Sequence, residues 1–275
     1  RLLHLASFGA STLPLVPVLA SWKPDLVFAV APTLFSSLSA LLTARFARAR
    51  SWLHIQDFEL DAAMATGLLG LKRGGVFPKL WALRLEKAVL KLFDRVSSIS
   101  KTMVQKLADK GLATEKIVYL PNWVDPDLIK PSSRLNPLRQ ELGLSHDDQV
   151  VLYSGSIGRK QGLDLVLQAA DRLRHSPAPL VFLFVGDGCG LIDLKQRATE
   201  LGLTPDRVRF APLQPVERLN DLLNLADLHL VLLSSGMGDA VLPSKLTSIM
   251  AAGGTAIVSV EPETELETLI TRNFL

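Results

Sequence analysis

One cysteine, Cys189, is present in 275 residues, so no internal disulfide can form and the composition fits a reducing compartment. Cys189 has no histidine nearby to make it a nucleophile, and no zinc-ligand spacing occurs, so neither a metal nor another cofactor is expected. No basic stretch interleaves cations with aromatics over a sheet surface, so nucleic acid is not an expected partner. Strong charge of either sign is also missing. A net charge of +3 and a pI near 9.0 accommodate an anionic ligand or a membrane surface without requiring one. No charged leader with a cleavage site opens the chain, so no secretory signal is expected. The chain starts at Arg1 and stops at Leu275 within a helical pattern, as expected of a fragment truncated at both ends.

One uncharged run, Leu26 to Ala44, is long enough to span a bilayer. Pro32 divides it, and its serines and threonines would load a membrane span with polar groups. The pattern is better read as a buried strand over 26–30 followed by a helix over 33–48.

What is abundant is apolar side chain, at 48%, enough to bury the cores of two domains of ordinary size. Short apolar runs alternate with helical patterns. The first half predicts strands over 25–30, 51–56, 95–100 and 116–120, with helices near 33–48, 77–93 and 101–110. Ser100 is the expected N-cap of the third helix and Gly111 its stop. Prolines and polar residues over 122–148 predict a linker with a short helix near 137–142. Strands are then expected over 150–153, 180–185, 207–211, 228–233 and 256–260, with helices over 162–175, 190–201, 216–226 and 243–252. The expected fold class is α/β, two doubly wound Rossmann-like domains. The first covers 1–121, the linker 122–148 and the second 149–275, both domains incomplete.

In such sheets ligands gather at the carboxyl ends of strands. The stretch Asp239 to Gly254 organises this reading. It follows an apolar strand, starts a helix at Pro243 and ends it at Gly253-Gly254. Main-chain N–H groups of Ser244, Lys245 and Leu246 and the Lys245 ammonium would favour a diphosphate there. Gly155, Ser156 and Gly158, followed by Arg159 and Lys160, form a second glycine-rich basic loop after a strand. The competing reading is a pair of solvated surface cations. Gly186 and Gly188 tempt a dinucleotide fingerprint, but Leu191 stands where its third glycine belongs, and no ribose-binding carboxylate follows the next strand. They are expected to clear space for a ligand or to form a tight turn.

Asp57, Glu59 and Asp61 follow the strand over 51–56 and could orient a hydroxyl or stabilise developing positive charge. The competing reading is a solvated acidic turn. Asp125-Pro-Asp127 resembles a metal-binding pair but falls in the linker. Residues 71–95 hold seven cations against two carboxylates, interleaved with Trp81, Leu85 and other apolar residues. Such a helix suits an anionic membrane surface, or simply covers a sheet with a solvated basic face.

Six segments, Leu53–Asp57, Pro121–Asp125, Tyr153–Gly158, Gln161–Asp164, Ala240–Lys245 and Ala251–Gly254, resemble in sequence and order the retaining GT-B-fold glycosyltransferases of the family 4 type. The likeness spans essentially the whole chain and is greatest to colanic acid biosynthesis fucosyltransferase-like proteins of bacterial exopolysaccharide clusters. It implies a nucleotide-sugar donor, GDP-sugars favoured, on the second domain, an acceptor on the first and chemistry in the cleft between. It further implies that Lys160 and Lys245 neutralise the donor diphosphate without a metal, and that Asp57 stands near the transferred sugar. Asp239, Pro243, Ser244 and Ser248 complete the implied donor site with Gly155, Ser156, Gly158, Arg159, Gly186 and Gly188. Two departures stand out. Ala240 and Ser248 replace a glutamate pair, with Asp239 adjacent, and Gln161-Gly162 replaces the commoner Lys-Gly. A Gly-rich loop at the start of the first domain and a closing C-terminal helix are not found.

The implied activity is transfer of a hexose, fucose from GDP-fucose among the candidates, to a lipid-linked oligosaccharide, in the cytoplasm with peripheral attachment to the inner face of the plasma membrane. A nucleotide-sugar epimerase on the same fold, or a non-catalytic scaffold that binds a nucleotide sugar, are the alternatives.

Overall fold

The computed structural model describes residues 2–31, 36–58, 76–158, 161–232, 243–260 and 262–273. The chain divides into two compact units. One comprises Arg1–Pro121, Gly236–Leu242 and Pro262–Leu275, the other Asn122–Ser235 and Pro243–Glu261.

The first unit opens with helices α1 (Leu2–Thr12) and α2 (Val16–Ser21), which the sequence pattern did not announce. Pro14 and Pro17 interrupt that pattern, yet each sits in the first turn of a helical segment, where a missing N–H costs nothing. Then follow β1 (Leu26–Ala31), α3 (Ser37–Ala47), β2 (Arg50–Ile55), α4 (Val76–Leu92), β3 (Arg95–Ser98), α5 (Lys101–Asp109) and β4 (Ile117–Tyr119). The strands are parallel in the order β1-β2-β3-β4. The uncharged run from Leu26 is thus a strand and a helix, and no helix among the described residues is long and apolar enough to cross a membrane.

The sheet's buried face closes on α4 and α5. Leu53, Ile55 and Val96 pack with Leu90, Phe93, Met103 and Leu107, all buried. Each such side chain contributes roughly 1.5–3 kcal/mol relative to leaving it in water. Ser100 Oγ accepts the Met103 N–H at 3.1 Å, and Gly111, at φ +82°, follows the end of α5, where the sequence placed cap and stop.

The second unit contains α6 (Pro137–Glu141), β5 (Gln149–Ser154), α7 (Asp164–Arg172), β6 (Leu180–Val185), α8 (Leu191–Glu200), β7 (Val208–Ala211), α9 (Leu219–Asn224), β8 (Leu228–Val231), α10 (Ser244–Ala251) and β9 (Ala256–Val258). Its five parallel strands run β7-β6-β5-β8-β9. Strand alternation sorts the core into two layers. Val151, Tyr153, Phe182 and Phe184 face Val166, Leu167, Leu194 and Ala198, whereas Val150, Leu152, Val181 and Leu183 face Leu138, Leu222 and Leu225. β8 stops at Val231, short of the expected residue 233, which lies outside the described residues.

Residues 122–148, read from sequence as a linker, pack into the second unit. Ile129, Leu138 and Leu144 are buried in its core. Arg139 is buried too. Its guanidinium donates to the carbonyls of Ser145 at 3.0 Å, Leu225 at 2.8 Å and Asp148, so three loop carbonyls share one cation. Helix α11 (Glu265–Asn273), assigned from sequence to the second domain, belongs with the first unit. The Glu265 carboxylate accepts the N–H groups of Lys101 at 2.8 Å and Thr102 at 2.6 Å, satisfying donors that the start of α5 leaves open.

Candidate functional site

In the second unit β5 is central, with β6 on one side and β8 on the other. The strand order reverses at β5, so the loops after β5 and β8 flank the crevice where doubly wound sheets take ligands. The loop after β5 carries Gly155–Gly158, and α10, the helix that follows β8 in the chain, begins just after Pro243 and carries Ser244, Lys245 and Ser248.

The glycines after β5 and β6 have a geometric cause. Gly186 has φ +152°, and a Cβ there would overlap the Gly155 carbonyl oxygen. Gly188 has φ +151°, and a Cβ there would overlap the Ile157 carbonyl oxygen. Main-chain hydrogen bonds stitch the two loops together, from Gly155 N to Val185 O at 2.8 Å, Ile157 N to Asp187 O at 2.8 Å and Gly190 N to Ile157 O at 2.9 Å. The loops therefore form one backbone layer in which only glycine fits at two positions.

The α10 end of the site brings in a cation. Pro243 is the residue before the helix and Ser244, exposed, is its first. The Leu246 N–H, expected to face a ligand, instead donates to the Pro243 carbonyl at 3.0 Å, because the first turn is tight. Gly253, at φ +71°, ends the helix, with Gly253 N donating to Met250 O and Gly254 N to Ile249 O. Lys245 is half-buried and reaches back to the β5 loop. A Cβ on Gly155 would lie 2.6 Å from its Nζ, so the glycine also makes room for the ammonium. That ammonium sits over the Tyr153 ring, 4.5 Å from its centroid. Burial pushes the Lys245 pKa below the ordinary lysine range, so charge is held there at a desolvation cost that an anion would offset.

Tyr153 opens one of the family-like segments, but sequence reasoning assigned it no role in the site, since an aromatic on a central strand reads as core. It is buried, its pKa is raised by burial to about 12, and its hydroxyl donates to the Ser156 carbonyl at 2.7 Å. Gln161 opens one of the family-like segments and stands where a lysine is commoner, and sequence reasoning assigned it no role in the site. A Cβ on Gly158 would lie 2.7 Å from Gln161 Oε1, so this side chain folds against the loop. Ser248 is half-buried on α10. Arg159, Lys160 and Asp239 lie outside the described residues, as do Glu59 and Asp61.

In the first unit Asp57 is exposed just beyond the carboxyl end of β2. A polar chain runs along β2 and onto β3. Trp52 Nε1 donates to Ser97 Oγ at 2.8 Å, His54 Nδ1 lies 2.8 Å from the same oxygen, and Gln56 Nε2 lies 2.9 Å from His54 Nε2. The amide nitrogen can only donate, so His54 Nε2 accepts and its ring proton is on Nδ1. Burial lowers the His54 pKa, in agreement with a neutral ring.

Comparison with known proteins covers both units. The family described as "Glycosyl transferases group 1" matches residues 136–271, and the "Glycosyl transferase 4-like domain" matches residues 3–123. A protein of Escherichia coli K12 named putative colanic acid biosynthesis glycosyl transferase WcaI is 43% identical over 270 residues, 97% of this chain and 65% of that protein. D-inositol 3-phosphate glycosyltransferase 1 of Catenulispora acidiphila is 30% identical over 204 residues, 70% of this chain and 48% of that protein. The chain thus spans 65% and 48% of the lengths of these two relatives. The crystal structure of Anabaena HepE in complex with UDP and glucose superposes with a TM-score of 0.69 at 20% identity, over 94% of this chain and 65% of that one. That likeness shows the GT-B fold.

Proposed function

This chain belongs to the glycosyltransferases, joining a 4-like domain to a group 1 domain, and on that premise we propose that it transfers a hexose from a nucleotide-sugar donor. The observation that carries the proposal is the Lys245 ammonium, half-buried against Gly155 beside the paired glycine loops at the switch point of the second sheet. A diphosphate in that crevice meets a cation already stripped of part of its water, and gains more from it than from a solvated lysine.

In the proposed reaction the bond from sugar C1 to the β-phosphate oxygen breaks and the diphosphate leaves with the electron pair. Lys245 stabilises that charge, with Lys160 assigned the same role, and no metal is assigned. An acceptor hydroxyl bonds to C1 on the face the phosphate leaves, giving retention, and its proton passes to the departing phosphate oxygen. Asp57 is assigned to the transferred sugar. The name of the Escherichia coli relative supports exopolysaccharide synthesis, with a lipid-linked oligosaccharide as acceptor. GDP-fucose is the donor we favour, and UDP-sugars are the alternative that the UDP named for the HepE complex supports testing. Attachment to the inner face of the plasma membrane is assigned to α4, whose exposed face is apolar and basic.

The test is incubation with GDP-fucose, UDP-glucose and UDP-galactose, a lipid-linked saccharide and EDTA. Release of nucleoside diphosphate, with a product of the donor's anomeric configuration, supports the reading. An inverted product, or activity abolished by EDTA and restored by Mg²⁺, overturns the mechanism assigned here.

A further inference from the structure

We propose that Tyr153 is a positioning residue for the diphosphate-binding set, seating the Lys245 ammonium on its ring and latching the Gly155–Gly158 loop through its hydroxyl. The inference rests on the donor-site reading and adds to it a residue that touches no substrate.

Three observations meet at this side chain. Its ring lies under Lys245 Nζ at 4.5 Å from the centroid, on the side where Gly155 leaves space for the ammonium. Its hydroxyl, from a strand position before the loop, donates to the Ser156 carbonyl at 2.7 Å inside the loop. The ring is itself wedged in the core at 1% exposure, 6.3 Å from Phe184, which stacks on Phe210 at 5.2 Å, so it has no freedom to swing away. A lysine has four rotatable bonds and would ordinarily sample solvent. Here the ring supplies a seat that attracts a cation, and the missing side chain of Gly155 leaves the room for it. One rigid side chain therefore fixes both the cation and the loop that lies beside it. No carboxylate is recorded near Lys245 among the described residues, so the seat is not an ion pair that an anionic ligand would have to break.

Tyr153→Phe keeps the seat and removes the latch, and Tyr153→Leu removes both. The first readout needs no ligand. In the 275-residue chain the Lys245 ε-methylene protons are expected upfield of ordinary lysine positions through the Tyr153 ring current, in Tyr153→Phe as well, and at ordinary positions in Tyr153→Leu. Ordinary positions in the unsubstituted protein overturn the seat. The second readout is calorimetric binding of UDP and GDP. Tyr153→Leu is expected to weaken the tighter of them about tenfold, between the worth of an exposed and of a desolvated cation–π contact, and to change little when Lys245→Ala is already present. Equal weakening with and without Lys245, in variants of unchanged near-ultraviolet circular dichroism, overturns positioning through the lysine. Failure of the unsubstituted chain to bind either nucleotide overturns the donor reading, and the proton shifts then still decide the seat.

Discussion

Gly186 lies so close to Gly155 that a Cβ on the one would overlap the carbonyl oxygen of the other. This contact ties the loop after β6 to the loop after β5, and everything assigned to the donor diphosphate rests on that tie. Gly186→Ala must therefore push the loops apart and hold a left-handed φ that alanine resists. The expected cost is about 2 kcal/mol or more of stability, read from urea unfolding, with nucleotide binding lost even at temperatures where the variant is folded. An alanine variant of unchanged stability and affinity would show that the loops are not locked.

The first unit holds an ion pair with similar stakes. Lys110 Nζ lies 2.6 Å from Glu86 Oε2, and the Glu86 side chain is buried at 4% exposure. The same ammonium lies 5.1 Å from the centroid of the Phe58 ring, next to Asp57. Lys110→Met takes one ammonium away from a buried carboxylate, at an expected cost of about 3–5 kcal/mol, while Lys110→Met with Glu86→Leu recovers most of the loss. Urea denaturation of the three variants checks this, and a fully additive pair would contradict it.

Acid should weaken the fold before it reaches the carboxylates. Burial pushes the pKa of both His54 and His229 below the ordinary value, and for His229 a hydrogen bond with the Leu223 main chain pulls only partly back. The unfolded chain takes up these protons as pH falls through about 6.5, whereas the folded chain resists them, so the unfolded state binds more protons and stability falls. The urea midpoint should hold above pH 7 and decline from pH 6.5 towards 5, with a shallower decline in His229→Met. A flat midpoint over that interval would contradict the burial of neutral rings. The Glu265 carboxyl acts lower. Burial raises its pKa, but the main-chain N–H groups of Thr102 and Lys101 outweigh this and hold it below the usual glutamate value, so its contribution is lost only below about pH 4.5.

Along α4, Trp81, Leu85 and Leu92 are 62–67% exposed, on the same face as exposed Arg84 and Lys91. If this face meets lipid, the chain should bind vesicles containing phosphatidylglycerol more tightly than pure phosphatidylcholine. Trp81→Ser with Leu85→Ser should then weaken that binding by at least about tenfold. Equal binding by the variant in a flotation assay would remove α4 from the interface.

Much of the fold was legible because parallel strands announce themselves as short apolar runs. Leu180–Val185 and the helices near 101–109 and 244–251 fall within a residue or two of their expected positions. Residues 122–148, read as a linker, pack into the second unit through Ile129, Leu138 and Leu144 and through the buried Arg139. Arg139 reads as a surface charge until its carbonyl partners, as far away as Leu225, are seen. α1 and α2 were hidden by Pro14 and Pro17, which mark helix starts as readily as breaks. In the site, glycines and lysine were visible as residue types. The reason for the glycines, one backbone lying against another, is a tertiary fact that spacing does not carry, and Tyr153 gave no signal beyond that of a core aromatic.

The most direct test of the account is calorimetric titration of the chain and of Lys245→Ala with GDP-, UDP- and ADP-sugars. The account predicts binding of one nucleotide class by the unsubstituted chain and a loss of at least about tenfold in the variant, the worth of a charge-assisted contact. Absence of binding to all three by a folded chain, or equal binding by Lys245→Ala, would contradict the assignment of this crevice as the donor site.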